Sequence, residues 1–269
     1  MSTLQVTFRS PSLVSPGEFW LHLPEKHMPD LPFLPHNPNY DRPARTLILL
    51  HGFSGNCQDF LLNSVASEIS FMYNMAVVMP SGGLNFFLDL PATGQKYMSF
   101  IGEDLINYLR ETFGLAATRD DTYIGGASMG GFGAMHTAFA YPERFGGVVA
   151  ISSALIIDEL KDMKPGYMDK NVMANYDYYV HTFGDLQTAK ERDVNPEVLY
   201  RKLKAEGKPL PRIYMACGTE DFLLQHNRDM RDFLRAENAD MRYEEGPGVH
   251  TWSFWNPRTV EGLQWLLSK

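Results

Sequence analysis

Short, uninterrupted apolar runs recur along the chain. Thr46-Leu47-Ile48-Leu49-Leu50, Ala76-Val77-Val78-Met79, Thr122-Tyr123-Ile124, Gly147 to Ser152 and Arg212 to Cys217 are of strand length and rich in strand formers. Runs that lack polar alternation predict strands buried on both faces of a sheet. Helical spacing lies between most of them. Phe60 to Phe71 carries Leu61, Leu62, Val65 and Ile69, with Met72 adjoining, and Met98 to Phe113 places Ile101, Leu105, Ile106, Leu109 and Phe113 on one stripe. Gly114 follows as a C-terminal cap. Strand, helix, strand in this order predicts β-α-β units and an α/β fold with a mainly parallel sheet flanked by helices.

The flanks extend that pattern. Residues 4–9 and Gly17 to Leu23 read as two further strands, and the proline-dense stretch from Pro24 to Pro43 as a surface loop. A helix is expected from Asn195 as N-cap, with Pro196 at its first position and Gly207 beyond its end. Another spans Leu223 to Glu237, then a strand near Met241 to Glu244 and a last helix from Pro257 to Leu267. The connection from Ser153 to Pro211 is longer than one crossover needs. Its residues 156–190 mix Met163, Tyr167, Met168, Met173, Tyr176, Tyr178, Tyr179 and Phe183 with charges, and are read as a cap over the carboxyl edge of the sheet. The competing reading is a pair of ordinary crossover helices whose Met and Tyr side chains are core. One domain, residues 1–269, is expected, without internal repeats.

The run at Thr122 leads into Gly126-Ala127-Ser128-Met129-Gly130. This fits G-x-S-x-G, in which a strand turns so sharply into a helix that the serine is held strained with its hydroxyl outward. The two glycines are expected because a Cβ at either would collide as strand and helix close on each other. Ala134 to Ala140 continues as helix and Pro142 stops it. A glycine-rich turn kept for packing alone is the plainer alternative. Gly130-Gly131-Phe132-Gly133 is not a nucleotide loop: no Lys-Ser/Thr follows, and the spacing is not G-x-G-x-x-G.

A serine hydroxyl attacks at neutral pH only with a base in reach, and the base needs a group that fixes its tautomer. On such a turn the partners follow in the order Ser, Asp or Glu, His. Histidines after Ser128 are His136, His181, His226 and His250. His136 lies two turns along the helix leaving the serine, His181 falls in residues 156–190, and His226 follows Asp221 too closely. His250, in the loop Gly246 to Trp252 directly after the last strand, is the expected base. Asp221, past the strand Ile213 to Cys217, is the expected acid. Glu220 is the runner-up, and Asp221 has a structural alternative as helix N-cap.

A tetrahedral intermediate also needs N–H donors for its oxyanion. Met129, after the serine, is one; Phe53, in His51-Gly52-Phe53-Ser54-Gly55, is the other, with Gly52 letting the backbone come close. The alternative is that His51-Gly52 only caps a strand. Phe53, Phe86, Phe87, Tyr97, Trp252 and Phe254 are candidate walls of an apolar pocket, Trp252 the best placed, although an aromatic is more often core.

Composition narrows the partners. The 269 residues carry a net charge of −8, against nucleic acid or an anionic membrane as partner, and 44% hydrophobic residues, enough for a large core. No run approaches the ~18 apolar residues of a membrane span, and the N-terminus lacks a signal-peptide pattern, so a soluble, cytoplasmic protein is expected. Cys57 and Cys217, far apart and outside any C-x-x-C, predict neither a disulfide framework nor a zinc site.

Taken together, His51-Gly52-Phe53-Ser54-Gly55-Asn56, Gly126 to Gly131, Cys217-Gly218-Thr219-Glu220-Asp221-Phe222-Leu223 and His250-Thr251-Trp252 resemble the tributyrin esterase branch of the α/β-hydrolases, close to the S-formylglutathione hydrolases of the esterase D group. The likeness runs from about residue 45 to the C-terminus. It implies an α/β-hydrolase fold, carboxylesterase activity on small-molecule esters with short acyl chains, no cofactor and no metal, and a triad of Ser128, Asp221 and His250. Related esterases often pair, so a homodimer or higher homo-oligomer is implied as well. The S-formylglutathione hydrolases carry a cysteine soon after the His-Gly pair, whereas Cys57 here lies a few positions later, which weakens a glutathione thioester as substrate. The expected protein is a serine carboxylesterase, with Phe53 and Met129 holding the oxyanion and Trp252, Phe86 and Phe53 touching substrate. Its rivals are an S-formylglutathione-type thioesterase, an esterase of acetyl or feruloyl groups on plant polysaccharide, and a non-catalytic binding protein on the same fold.

Overall fold

In the computed structural model, which describes residues 1–25, 35–90, 92–169 and 174–268, the apolar runs form the middle of one sheet. The strands are β1 (Ser2–Arg9), β2 (Pro16–Leu23), β3 (Arg45–Leu50), β4 (Met75–Pro80), β5 (Asp89–Leu90), β6 (Gln95–Lys96), β7 (Thr122–Ala127), β8 (Gly147–Ile151), β9 (Arg212–Gly218) and β10 (Met241–Gly246). Eight pair in the order β1-β2-β4-β3-β7-β8-β9-β10, and β5 with β6 makes a separate small hairpin. β2 is antiparallel to both its neighbours, whereas β4, β3, β7, β8, β9 and β10 run parallel.

Alternation along each strand sends Ile48, Leu50, Ile124, Val148, Ile213 and Met215 to one face, and Leu47, Leu49, Tyr123, Val149, Ile151 and Tyr214 to the other. Both faces are covered, so neither set is polar. On the first lie the helix Met129–Ala140 and the helical stretch from Tyr97 to Phe113; on the second lie Ala66–Tyr73 and Trp252–Leu267. Fully burying one such Leu or Ile stabilises by about 1.5–3 kcal/mol over leaving it in water.

The helices depart from expectation at three places. The stretch from Phe60 to Phe71 is two helices, Asp59–Asn63 and Ala66–Tyr73, because the Ser64 hydroxyl donates to the Phe60 carbonyl at 2.5 Å and accepts from the Ala66 N–H at 3.0 Å. Serine here competes with the backbone ladder. The Met98 to Phe113 stretch is helical throughout but has a π segment, Phe100–Leu105, before the expected cap at Gly114, whose φ is +66°. The last helix begins at Trp252, not Pro257. Pro257 deprives Ser253 of a donor, but Trp252 stacks edge-on with Phe60 (4.9 Å) and Trp255 (5.1 Å), and this packing outweighs the lost bond.

Asn195 caps the helix Pro196–Ala205 through the Glu197 N–H at 3.0 Å. Within residues 156–190 the described elements are Ile157–Leu160, Tyr176–Phe183 and a short turn at Ala189–Glu191; Met163, Tyr179 and Phe183 are buried and Met168 is exposed. Met173 lies outside the described residues, as do residues 26–34 of the proline-dense loop, whose described remainder forms the short 3₁₀ turn Pro38–Asp41. Among the described residues no helix is long and apolar enough to cross a membrane.

Register positions the chemistry. Leu50 pairs with Gly126, Ala127 with Ile151, Ile151 with Ala216, and Gly218 with Gly246. The loops after β3, β7, β8, β9 and β10 therefore leave the sheet side by side at one edge.

Candidate active site

Ser128 sits at φ 59°, ψ −122°, a region a residue with a Cβ enters only under constraint. The constraints are visible. Its N–H donates to the Ile151 carbonyl at 3.0 Å, and its own carbonyl accepts from Gly131 (3.0 Å), Phe132 (3.2 Å) and Ala154 (3.0 Å). A Cβ on Gly126 would stand 2.5 Å from the Leu50 carbonyl oxygen, and one on Gly130 would run into the same carbonyl. The expected collision between strand and helix is thus real. Met129 opens the helix, so its N–H has no intrahelical acceptor.

Asp221 follows β9 and His250 follows β10, the next strand, and His250 Nδ1 lies 2.8 Å from Asp221 Oδ2. A carboxylate only accepts, so Nδ1 carries the proton and Nε2 is left as an acceptor. The Asp221 side chain is fully buried, and its Oδ1 accepts from the Leu223 N–H at 2.9 Å. Burial works against its charge, but the bonds from His250 and Leu223 outweigh it and hold the carboxyl below its ordinary value. Asp221 is not the N-cap of the following helix, which starts at Leu224 without a side-chain cap. Glu220 turns the other way: its Oε2 accepts from the Gly248 N–H at 2.6 Å and its own N–H donates to the Gly248 carbonyl at 3.1 Å. It clasps the loop that carries His250. Phe222 and Trp255 flank the imidazole at 4.7 and 4.9 Å.

The loop after β3 is fixed from below. His51 is buried, accepts at Nε2 from the Gly82 N–H (2.9 Å) and donates from Nδ1 to the Gly52 carbonyl (2.8 Å). Burial lowers its pKa, which suits this neutral form. Among the described residues the Phe53 N–H has no hydrogen-bond acceptor. A Cβ on Gly52 would meet Ser128 Cβ at 3.8 Å, an ordinary contact, and its φ is not left-handed, so packing within the protein does not demand glycine there. The loop after β4 is the more strained one: Phe86 and Phe87 are both left-handed, at φ 55° and 54°. Asn85 holds them, bonding the Gly82 carbonyl through its amide and the Phe87 N–H (2.8 Å) through its oxygen.

Ser128, Met129, His250, Phe53, Phe86 and Trp252 line one cavity of about 370 Å³. Asp221 stands behind His250. Phe87 packs under the site against His51, 5.2 Å between rings, and neither it nor Tyr97 nor Phe254 reaches the cavity. Tyr179, Ile156, Trp255 and Asp59 do, and sequence reasoning missed them as walls. Among the described residues no group of three or more His, Cys, Asp and Glu is placed to hold a metal ion. Both cysteines are free and buried, their thiols pushed up by burial to about 11 at Cys57 and about 12 at Cys217.

Of the other histidines, His226 pairs with Glu159 at 3.1 Å and His136 is buried, donating from Nε2 to the Asp193 carbonyl at 2.8 Å. Burial pushes His136 from 6.5 down to about 4. Its native value lies below its unfolded value, so the unfolded chain takes up the proton first and stability falls as pH drops from about 6.5 toward 4. At pH 5 this costs about 2 kcal/mol. His136→Gln, which keeps the donor to Asp193, is expected to flatten urea-derived stability between pH 7.5 and 5 by that amount. Equal pH slopes in the two proteins would contradict it.

Parallel strands between helices, with the chemistry gathered beyond their carboxyl ends, make this an α/β-hydrolase fold, and the protein is a carboxylic ester hydrolase of the serine type. The family described as "Putative esterase" matches residues 12–266, and the chain belongs to it. It is 41% identical over 222 residues to an acetyl esterase of Caldicellulosiruptor saccharolyticus, covering 82% of this chain and 83% of that one. Two Staphylococcus aureus structures, each 26% identical, superpose over nearly the whole chain. One is the substrate-bound fluorophosphonate-binding serine hydrolase FphF (TM-score 0.83, covering 100% of this chain and 99% of that one). The other is the S-formylglutathione hydrolase FrmB (TM-score 0.79, 98% of each).

Proposed function

We propose that the protein is a serine carboxylesterase that hydrolyses short-chain acyl esters of small alcohols through Ser128, His250 and Asp221. The observation that carries this reading is the His250–Asp221 hydrogen bond at 2.8 Å, with the imidazole opening on the cavity that holds the strained Ser128. His250 Nε2 takes the Ser128 proton as Oγ attacks the ester carbonyl. The Phe53 and Met129 N–H groups receive the oxyanion, and each such donor is worth about 3–4 kcal/mol in the transition state. The imidazolium, steadied by Asp221, returns its proton to the departing alcohol. Water, deprotonated by the same nitrogen, then releases the acid from Ser128. Residues 156–190, which bring Ile156, Asp169 and Tyr179 to the cavity, serve as its cap.

Acetate is the favoured acyl group, supported by the acetyl esterase relative. A thioester is the second reading, supported by the likeness to FrmB. Cys57 speaks against a glutathione carrier of the kind the resemblance suggested, since it is buried near Glu18 and does not line the cavity. An alkyl fluorophosphonate should add one adduct, on Ser128, and a panel of p-nitrophenyl acetate, p-nitrophenyl butyrate and S-formylglutathione should rank the substrates with acetate first. Folded protein that neither labels nor turns over any of the three defeats the reading.

A further inference from the structure

A second cavity, about 680 Å³, lies behind the first and is lined by Leu88, Met98, His136, Val180, Phe183 and Val194 among others. The helix Tyr176–Phe183 contributes to both: Tyr179 faces the serine's cavity, and Val180 and Phe183 the second. Between them stand three buried rings. Phe86, on the first cavity, meets Phe183, on the second, edge-on at 4.9 Å; Phe132 joins them at 5.3 Å from Phe86 and 6.0 Å from Phe183. The partition is one pair of rings thick.

Phe86 is unable to swing aside while Phe183 stands behind it. It is the first of two consecutive left-handed residues, and the Asn85 oxygen bonds the N–H of the second. The Phe87 ring is wedged against His51 and against Gly82 and Gly133, where a Cβ would strike it. Strain of this kind survives only where the surroundings over-determine it. Here they fix the Phe86 backbone, so its ring can leave the acyl path only by turning into the place that Phe183 fills.

The chemistry says which part of an ester meets that edge. A leaving oxygen must take its proton from His250, so the alcohol lies beside the imidazole, with Trp252, Trp255 and Phe222. The acyl chain then extends the other way from Ser128, toward Phe53, Phe86 and Tyr179. We propose that the Phe86–Phe183–Phe132 cluster is the stop that limits acyl length, with Phe183 as a specificity-determining residue that never touches a short substrate. Once that ring is gone, the Phe86 side chain turns into the space it leaves, and the second cavity lies open to a longer chain. This inference rests on the esterase reading above.

The test compares kcat/KM for p-nitrophenyl acetate, butyrate and octanoate in the wild type, Phe183→Ala and Phe183→Leu. Apolar burial of the added methylenes should raise the octanoate-to-acetate ratio at least about tenfold in Phe183→Ala. Phe183→Leu, the variant to rely on if the alanine does not fold, should raise it less but in the same direction. Acetate turnover should stay within about threefold in both, because the catalytic groups are untouched. Val180→Ala widens the second cavity without opening the partition and should leave the ratio unchanged. An unchanged ratio in a folded Phe183 variant, or an equal rise in Val180→Ala, overturns the proposal. Failure of the wild type to hydrolyse any of the three esters would instead sink the esterase reading, and this inference with it.

Discussion

Ser128→Ala is expected to cut turnover of p-nitrophenyl acetate by about 10⁴- to 10⁶-fold while the melting temperature moves by no more than about 2 °C. The size follows from what remains. Without Oγ no acyl-enzyme forms, and only the Phe53 and Met129 N–H groups and the binding energy of the cavity still favour the transition state. The small thermal effect follows from what holds the turn. Its strained residue is fixed through backbone bonds to Ile151, Gly131, Phe132 and Ala154, and alanine keeps all of them. Among the described residues the Ser128 hydroxyl has no hydrogen-bond partner to lose. Alanine at φ 59° bears the same backbone strain as serine. Rates near wild type from the purified variant would end the assignment of Ser128 as nucleophile.

The middle of the sheet was legible because β3, β4, β7, β8 and β9 are covered on both faces, and only uninterrupted apolar runs can fill such positions. Ser128 and His250 could be brought to one edge from sequence because each directly follows a strand end, and parallel strands leave the sheet at the same side. Illegible were the features that depend on which distant group supplies a partner. The bond from Gly82 to His51 crosses 31 residues and that from Gly248 to Glu220 crosses 28, and neither leaves a local pattern. The left-handed Phe86 and Phe87 violate local preference outright, since bulky aromatics do not select that backbone region, so no propensity could reveal them. Likewise Trp252 begins its helix five positions before the proline that sequence takes as its start, because packing on Phe60 and Trp255 decides the matter. Tyr179 was visible only as one tyrosine among several, and its place on the cavity wall comes from the fold of residues 156–190.

Asp221→Asn is expected to cost about 10⁴-fold in kcat, nearly as much as loss of the nucleophile, although the change is one of oxygen to nitrogen. The buried side chain has two obligations. Oδ1 accepts from the Leu223 N–H at 2.9 Å, and Oδ2 accepts from His250 Nδ1 at 2.8 Å. Asparagine has one acceptor and one donor end. The Leu223 N–H that meets this side chain only donates, so the amide oxygen stays there and the NH₂ turns to the imidazole. His250 must then present Nδ1 as an acceptor, which moves its proton to Nε2, the atom that has to receive the Ser128 proton. The ring is in place but in the wrong tautomer, and the charge that steadied the imidazolium is gone. Because the shape and the Leu223 bond survive, the fold should too, with a melting temperature within a few degrees of wild type. Glu220→Gln separates this role from mere loop support: its carboxylate holds the Gly248 N–H rather than the imidazole, and a glutamine oxygen still accepts that bond. It should lose no more than about tenfold, an effect of positioning alone. Steady-state kinetics on the two purified variants decide the matter, and an Asp221→Asn enzyme as active as Glu220→Gln would remove Asp221 from the mechanism.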